Sequence, residues 1–278
     1  MIRFTSELPM SRSETVVLER HDDRVHVCLN RPEKHNGMNF DMLDAVNDSA
    51  KALGKDKDLR SVVIRGNGPS FCAGLDFGSV LKSPLTAAPV MMTQLMLPYA
   101  NRFQRWSLAW RDLGVPVVAA IHGNCFGAGM QLALGADVRV AAPDAKLSVM
   151  EAKWGLVPDM GGAVLLRELV RIDVAKQLVM SAKIISGREA HELGLVTHLA
   201  DDPVARAEEV AAEMSAWSPD AVAAGKFLLQ EAWDGSESDA TASERRWQRR
   251  LIGRRNQRIS IARNGGEPDK PFEKRSVG

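Results

Sequence analysis

The chain has 278 residues, of which 45% are hydrophobic and 26% charged, with a formal net charge of +1. That length suits one large globular domain, or one domain with a smaller appendage. The even charge excludes a global field that would draw nucleic acid or a membrane surface. Apolar runs such as VPVVAAIHG at 115–123 fall short of the ~20 residues a bilayer span needs.

Along the chain, MIRFTSELPMSRSE lacks a continuous apolar core, so no secretory signal is predicted. TVVLER (15–20) and RVHVCLN (24–30) alternate as a hairpin around a polar HDD. FDMLDAVNDSAKAL (40–53) has helical apolar spacing, and SVVIRG (61–66) is a β-branched strand ending at glycine. Residues 78–97 are less regular and rich in Met, Pro and Leu, and a helical stretch follows to about 112. VVAAIHG (117–123) reads as a buried strand, followed by a helix from about 128 and by strands at DVRVAA (137–142) and KLSVM (146–150). From 163 the pattern is wholly helical, broken at 186–189, 201–203, 218–220 and 234–238, and NGGEPDKPFEKRSVG reads as a loose tail. Strands alternating with helices, then helices alone, predict an α/β core over 1–200 with an appended helical segment over 201–278. Cys28, Cys72 and Cys125 are too scattered for a disulfide framework or a zinc site. A cytoplasmic protein without a metal is expected.

GNCFGAGMQ (123–131) strips side chains from the start of a helix. Unpaired N–H groups and partial positive charge at such a start serve either phosphate or an oxyanion. GxxxxGK[ST] is absent, and Gly127-Ala128-Gly129 lacks the third glycine of a dinucleotide fingerprint. Tight strand–helix packing is the structural alternative. A second small-residue turn, NGPSFCAGLDF (67–77), also follows a strand. Two turns, each aiming one N–H at a single carbonyl oxygen, would stabilise developing charge there.

LNRPEKHNGMN (29–39), FCAGLDF (71–77), AAIHGNCFGAGMQLALGADVRVAA (119–142), MEAKWGLVPDMGG (150–162) and SGREAHELGLVTHL (186–199) resemble, in order and spacing, the crotonase or enoyl-CoA hydratase/isomerase family. The resemblance covers roughly residues 14–260. It implies a crotonase-like spiral of ββα units, a C-terminal helical oligomerisation segment, and a homotrimer or dimer of trimers. It also implies an acyl-CoA thioester substrate whose oxygen is held by the N–H groups of Leu75 and Ala128, the second place being usually glycine in the family. Coenzyme A enters with the substrate and no separate cofactor is implied.

Family members differ in their carboxylates. A two-acid hydratase would place its first acid at Gln131 and its second at Glu151, and glutamine cannot act as a general base. Glu151 with Asp159 resembles the dienoyl-CoA isomerase branch, although that branch usually carries a third acid where Gln131 stands; simple Δ3-Δ2 enoyl-CoA isomerases use one glutamate at the Glu151 position. Double-bond isomerisation is therefore expected, with hydratase activity or a weakly active CoA-ester-binding relative as alternatives. Asp159 could instead cap the helix beginning near 161, and Glu151 could be a surface acid. The resemblance places adenine and pantetheine contacts at Gly37, Met38 and Ala73; Arg31 and Lys34 could meet CoA phosphates or be solvated, and Asp76 could order its turn. His122 reads as a strand-end residue, and Cys72 and Cys125 as small buried packing. Met91, Met92, Met96 and Trp106 read as an acyl pocket or as ordinary packing. The basic RRWQRRLIGRR (245–255) is read as a solvated face or subunit contact rather than an RNA site.

Overall fold

In a computed structural model describing residues 14–80, 92–96 and 100–278, strands enter in the order β1 (Val16–His21), β2 (Arg24–Leu29), β3 (Ser61–Gly66), β4 (Val117–Ile121), β5 (Asn124–Phe126), β6 (Val138–Ala141), β7 (Lys146–Ser148), β8 (Ile185–Ser186) and β9 (His198–Leu199). The main sheet runs β1-β2-β3-β4-β6-β9, and β5-β7-β8 form a second, smaller sheet. Only the β1/β2 hairpin of the main sheet is antiparallel; from β2 to β9 every neighbour is parallel. Parallel neighbours need crossovers. Between β2 and β3 the crossover is α1 (Phe40–Lys55), capped by Asn39, whose side chain accepts from the Met42 N–H at 2.9 Å. Met42, Leu43, Val46, Ala50 and Leu53 recur at helical spacing and are buried. The architecture is the expected α/β spiral.

The remaining longer helices are α2 (Arg102–Leu108), α3 (Ala128–Leu134), α4 (Gly162–Leu169), α5 (Ile172–Ser181), α6 (Pro203–Ser215), α7 (Pro219–Ala232), α8 (Glu237–Leu251) and α9 (Arg255–Asn264). Both faces of the parallel strands are covered, which explains their unbroken apolar runs. Val25, Val27, Val62, Ile64, Val117 and Ala119 face the larger core with α1, α2 and α3. Val63, Val118, Ala120 and Val140 face Ala207, Val210 and Ala211 of α6. The segment after residue 201 thus begins by completing the sheet's second face.

Three expectations are corrected. The stretch from 163 is not wholly helical, because β8 and β9 interrupt it; two residues are too few to show any period. VVAAIHG ends as a strand at Ile121, and the chain re-enters as β5 in the other sheet after Gly123, whose φ is +57°. The tail is not loose. Asp220 Oδ1 accepts from the N–H groups of Ser276 at 2.6 Å and Val277 at 3.0 Å, while its Oδ2 accepts from Asn256 at 2.9 Å. Arg275, buried, donates to the Asp56 and Val277 carbonyls, and Val277 packs with Ala223, Ala224 and Trp247. Apart from the Asn256–Asp220 pair, these bonds join side chains to backbone and are invisible to periodicity.

In the basic run, Trp247 is buried against Phe227, Arg250 covers its ring at 4.6 Å, and Arg246 pairs with Glu231. No described helix is long and apolar enough to cross a membrane. Met91, most of 78–97 and the first 13 residues lie outside the described residues.

Candidate active site

Three loops that follow strand ends lie side by side. Phe71 and Cys72 donate to the carbonyls of His122 and Asn124 at 2.8 and 2.9 Å, and Phe126 donates back to Cys72 at 3.0 Å. Met38 donates to Gly74 at 2.7 Å and accepts from Asp76 at 2.9 Å, making a parallel bridge to Leu75. In such a bridge the flanking residues bond the partner, and the central residue points its own N–H away. Leu75 therefore aims its N–H to the side where Gly74 meets Phe126 and Ala128; a Cβ on Gly74 would lie 3.0 Å from the Phe126 oxygen and 3.9 Å from the Ala128 nitrogen. Ala128 opens α3. Among the described residues neither N–H has an acceptor. Both donors are unpaired and their loops meet here, an arrangement an oxyanion hole would use.

The small residues are explained by this geometry. Gly127 holds a left-handed φ of 48° at the helix start, and a Cβ there would lie 3.4 Å from Glu151 Oε1. A Cβ on Gly129 would sit 2.3 Å from the Cys72 carbonyl oxygen. Alanine at 128 keeps its N–H free, as a glycine there would. Trp106, fully buried, donates its indole N–H to the Ala128 carbonyl at 2.8 Å and fixes the helix start from behind.

Glu151 opens a 3-10 turn, Glu151–Trp154, just after β7, and is 9% exposed, so it is not a surface acid. Its Oε1 accepts from Gln131 Nε2 at 2.6 Å, while its Oε2 is buried with no partner. Gln131, 1% exposed, accepts at Oε1 from the Met160 and Gly162 N–H groups, both at 2.9 Å. Those two donors fix which end of the amide is oxygen, so its NH2 must face Glu151. Burial pushes the Glu151 carboxyl above its ordinary range; the Asp159 charge adds to this and the Gln131 bond opposes it. Burial also raises Asp159. Asp159 does not cap the following helix: α4 is capped by Gly161 without a side-chain bond.

On the opposite flank, Arg31 pairs with Asp76 at 2.9 Å and donates to the Gly37 carbonyl, so its guanidinium braces the loop from within. Burial alone would raise Asp76, but bonds from Ser79 and Arg31 hold it below its ordinary value. Gly37 and Met38 are buried, Ala73 half-buried, and Lys34 exposed with no acidic partner among the described residues. Asn36 carries a role the sequence reading missed. Fully buried at a φ of +55°, it accepts from the Arg31 N–H at 2.8 Å and donates to the Asn67 and Ser70 carbonyls at 2.9 and 2.7 Å. The Asn-Gly pair at 36–37 was the available signal. Phe77 and the exposed Trp154 also meet, with ring centroids 4.3 Å apart.

His122 bonds the Gly68 carbonyl at 2.9 Å from the end of β4. Cys72 and Cys125 are fully buried, and burial pushes the Cys72 thiol up to about 12. Met92 and Met96 are exposed. A cavity of about 1110 Å³ lies between α1 and α2, among Asp41, Asp44, Asp48 and Arg102, away from Glu151.

Comparison with known proteins fits this arrangement. The sequence model of the family described as enoyl-CoA hydratase/isomerase matches residues 21–266. The chain is 30% identical over 213 residues to the mitochondrial methylglutaconyl-CoA hydratase of Mus musculus, covering 74% of this chain but 65% of that protein. It is 30% identical over 235 residues to the mitochondrial Delta(3,5)-Delta(2,4)-dienoyl-CoA isomerase of the same organism, covering 82% of this chain and 72% of that one. An enoyl-CoA hydratase from Polaromonas sp. JS666 superposes with a TM-score of 0.84 at 28% identity, covering 93% of this chain and 99% of that one.

Proposed function

Because the chain belongs to the enoyl-CoA hydratase/isomerase family, we propose that it isomerises the double bond of an unsaturated acyl-CoA, with Glu151 as the proton shuttle. One observation carries this reading: the side chain beside Glu151 is an amide locked by two backbone donors, which leaves Glu151 Oε2 as the free acceptor.

The N–H groups of Leu75 and Ala128 bond the thioester oxygen and hold the charge of the enolate. Glu151 Oε2 removes a proton from carbon, the electron pair moves into the thioester, and the same carboxyl returns that proton to a carbon further along the chain. No atom is gained or lost, so no cofactor is needed beyond the coenzyme A of the substrate. Gln131 positions Glu151, and Asp159 is a second acid or helper. Gly37, Met38 and Ala73 contact the adenine and pantetheine. Asp76, locked by Arg31, orders that flank, and Lys34 is the cation left for the phosphates. The enzyme is assigned to the cytoplasm, as a homotrimer or dimer of trimers.

Hydration of a trans-2-enoyl-CoA is the second reading. It is favoured by Asp159, whose raised carboxyl has no side-chain partner among the described residues. Separate incubations with a medium-chain trans-3-enoyl-CoA and with its trans-2 isomer, followed by chromatography with mass detection, separate the two. A product of unchanged mass, newly conjugated to the thioester, supports isomerisation. A product heavier by one water from the trans-2 ester, with the trans-3 ester unchanged, transfers the reaction to hydration, and binding of both esters without any product leaves a CoA-ester-binding protein.

A further inference from the structure

On the outer face of the first hairpin, the register pairs Glu19 with His26 and His21 with Arg24. Alternate residues of a strand share a face, so Glu19, His21 and His26 stand together. The two imidazoles have centroids 4.9 Å apart at an interplanar angle of 58°. One ligand atom from each of the three residues lies within 4.8 Å of the others. From α6, Glu208 brings Oε1 to 3.3 Å from His26 Nε2. Arg65 holds Glu19 Oε2 at 2.6 Å.

The geometry points to a divalent transition-metal site, of the zinc class, formed by Glu19, His21 and His26 and completed by Glu208. Two imidazoles and two carboxylates form a borderline N2O2 set, suited to zinc and poorly suited to calcium or magnesium, which take oxygen ligands. Tetrahedral zinc has bonds of ~2.0–2.2 Å, so the donors must draw slightly together. His21 and Glu208 are exposed and Glu19 half-buried, so they have room to move, while His26, 5% exposed, is the fixed member. The charges facing the group are Arg24 and Arg65 against Glu19 and Glu208, so the carboxylates balance the guanidiniums. Arg65 orients the Glu19 carboxylate as an outer partner would.

The site is separate from the proposed reaction centre. His26 pairs in register with Val63, which faces α6, whereas Ala128 packs in the core on the other side of the sheet. A metal here would join the hairpin to the first helix after residue 201.

The test is calorimetric titration of the tag-free full chain, stripped with chelator, with zinc chloride, alongside thermal melts and visible spectra with Co²⁺. One equivalent should bind in the micromolar range or tighter, raise the melting temperature by linkage, and give the intense absorption of tetrahedral cobalt. His21→Ala and Glu208→Gln, both at exposed positions, should each weaken binding by at least ~10-fold and abolish the thermal gain. Neither residue belongs to the reaction centre, so unchanged turnover verifies that the variants fold. Absence of saturable zinc binding by the wild type, or unchanged affinity in both His21→Ala and Glu208→Gln, overturns the site.

Discussion

Gln131 sets the terms on which Glu151 works. Its amide nitrogen stabilises the Glu151 carboxylate, yet burial and Asp159 outweigh that bond and the carboxyl stays raised. Unfolded Glu151 releases its proton near the ordinary glutamate value; folded Glu151 releases it only at higher pH. The folded state therefore holds the proton more tightly. The stability this contributes is complete below the ordinary value and is lost as pH rises through the folded one. Near neutral pH the ionised form works against the fold, as catalytic groups often do. Glu151→Gln keeps the shape and removes the charge, so it is expected to melt no lower than the wild type near neutral pH while losing ~10²–10⁴-fold in turnover. Differential scanning calorimetry and the isomerase assay check the two halves; intact turnover removes Glu151 from the proton shuttle. Gln131→Leu takes away the amide that favours the charged form, so the acid limb of its kcat/KM profile should move to higher pH. It also strands the Met160 and Gly162 N–H groups, at about 1–3 kcal/mol per buried donor. An unmoved acid limb would deny Gln131 its positioning role.

At the scale of elements, the sequence was readable where a period exists. Alternation marked β1 and β2, helical spacing marked α1, and the apolar runs of β3 and β4 announced strands covered on both faces. The two small-residue turns were legible as places of close approach, because glycine and alanine say where another backbone must come near. The lock on Gln131 was not legible, since its partners Met160 and Gly162 act through backbone N–H groups, which carry no residue identity. Nor was the tail, where EPDKPFEKRSVG is polar and aperiodic yet is held by Asp220, Asn256 and Lys57. That strap makes its own prediction. Asp220→Ala strands the N–H groups of Ser276 and Val277 and frees the Asn256 amide. The expected loss is about 2–4 kcal/mol, from two or three buried bonds at roughly 1 kcal/mol or more each. Urea unfolding should show it as a lower midpoint with turnover retained in the absence of denaturant. An unchanged midpoint would return the tail to a loose state.

For the whole molecule, the helical segment has two surfaces of different kinds. Its inner one closes the sheet through Ala207, Val210 and Ala211. Its outer one leaves Trp217, Trp233, Ile252 and Ile261 each more than 60% exposed. Single exposed apolar residues are ordinary, and it is the proposed assembly that would give these four a partner surface. The charge balance of +1 provides little repulsion between copies. Association into a trimer or a pair of trimers is therefore expected, with light scattering after size exclusion giving three or six times the 30.4 kDa chain. The exposed side chains also say how to perturb it. Trp233→Glu sits at the end of α7, its ring 63% exposed, so the charge should leave the folded chain intact and lower the assembled fraction. A wild type that elutes as a monomer at micromolar concentration, with full turnover, would detach the reaction from assembly and leave this face without a partner copy.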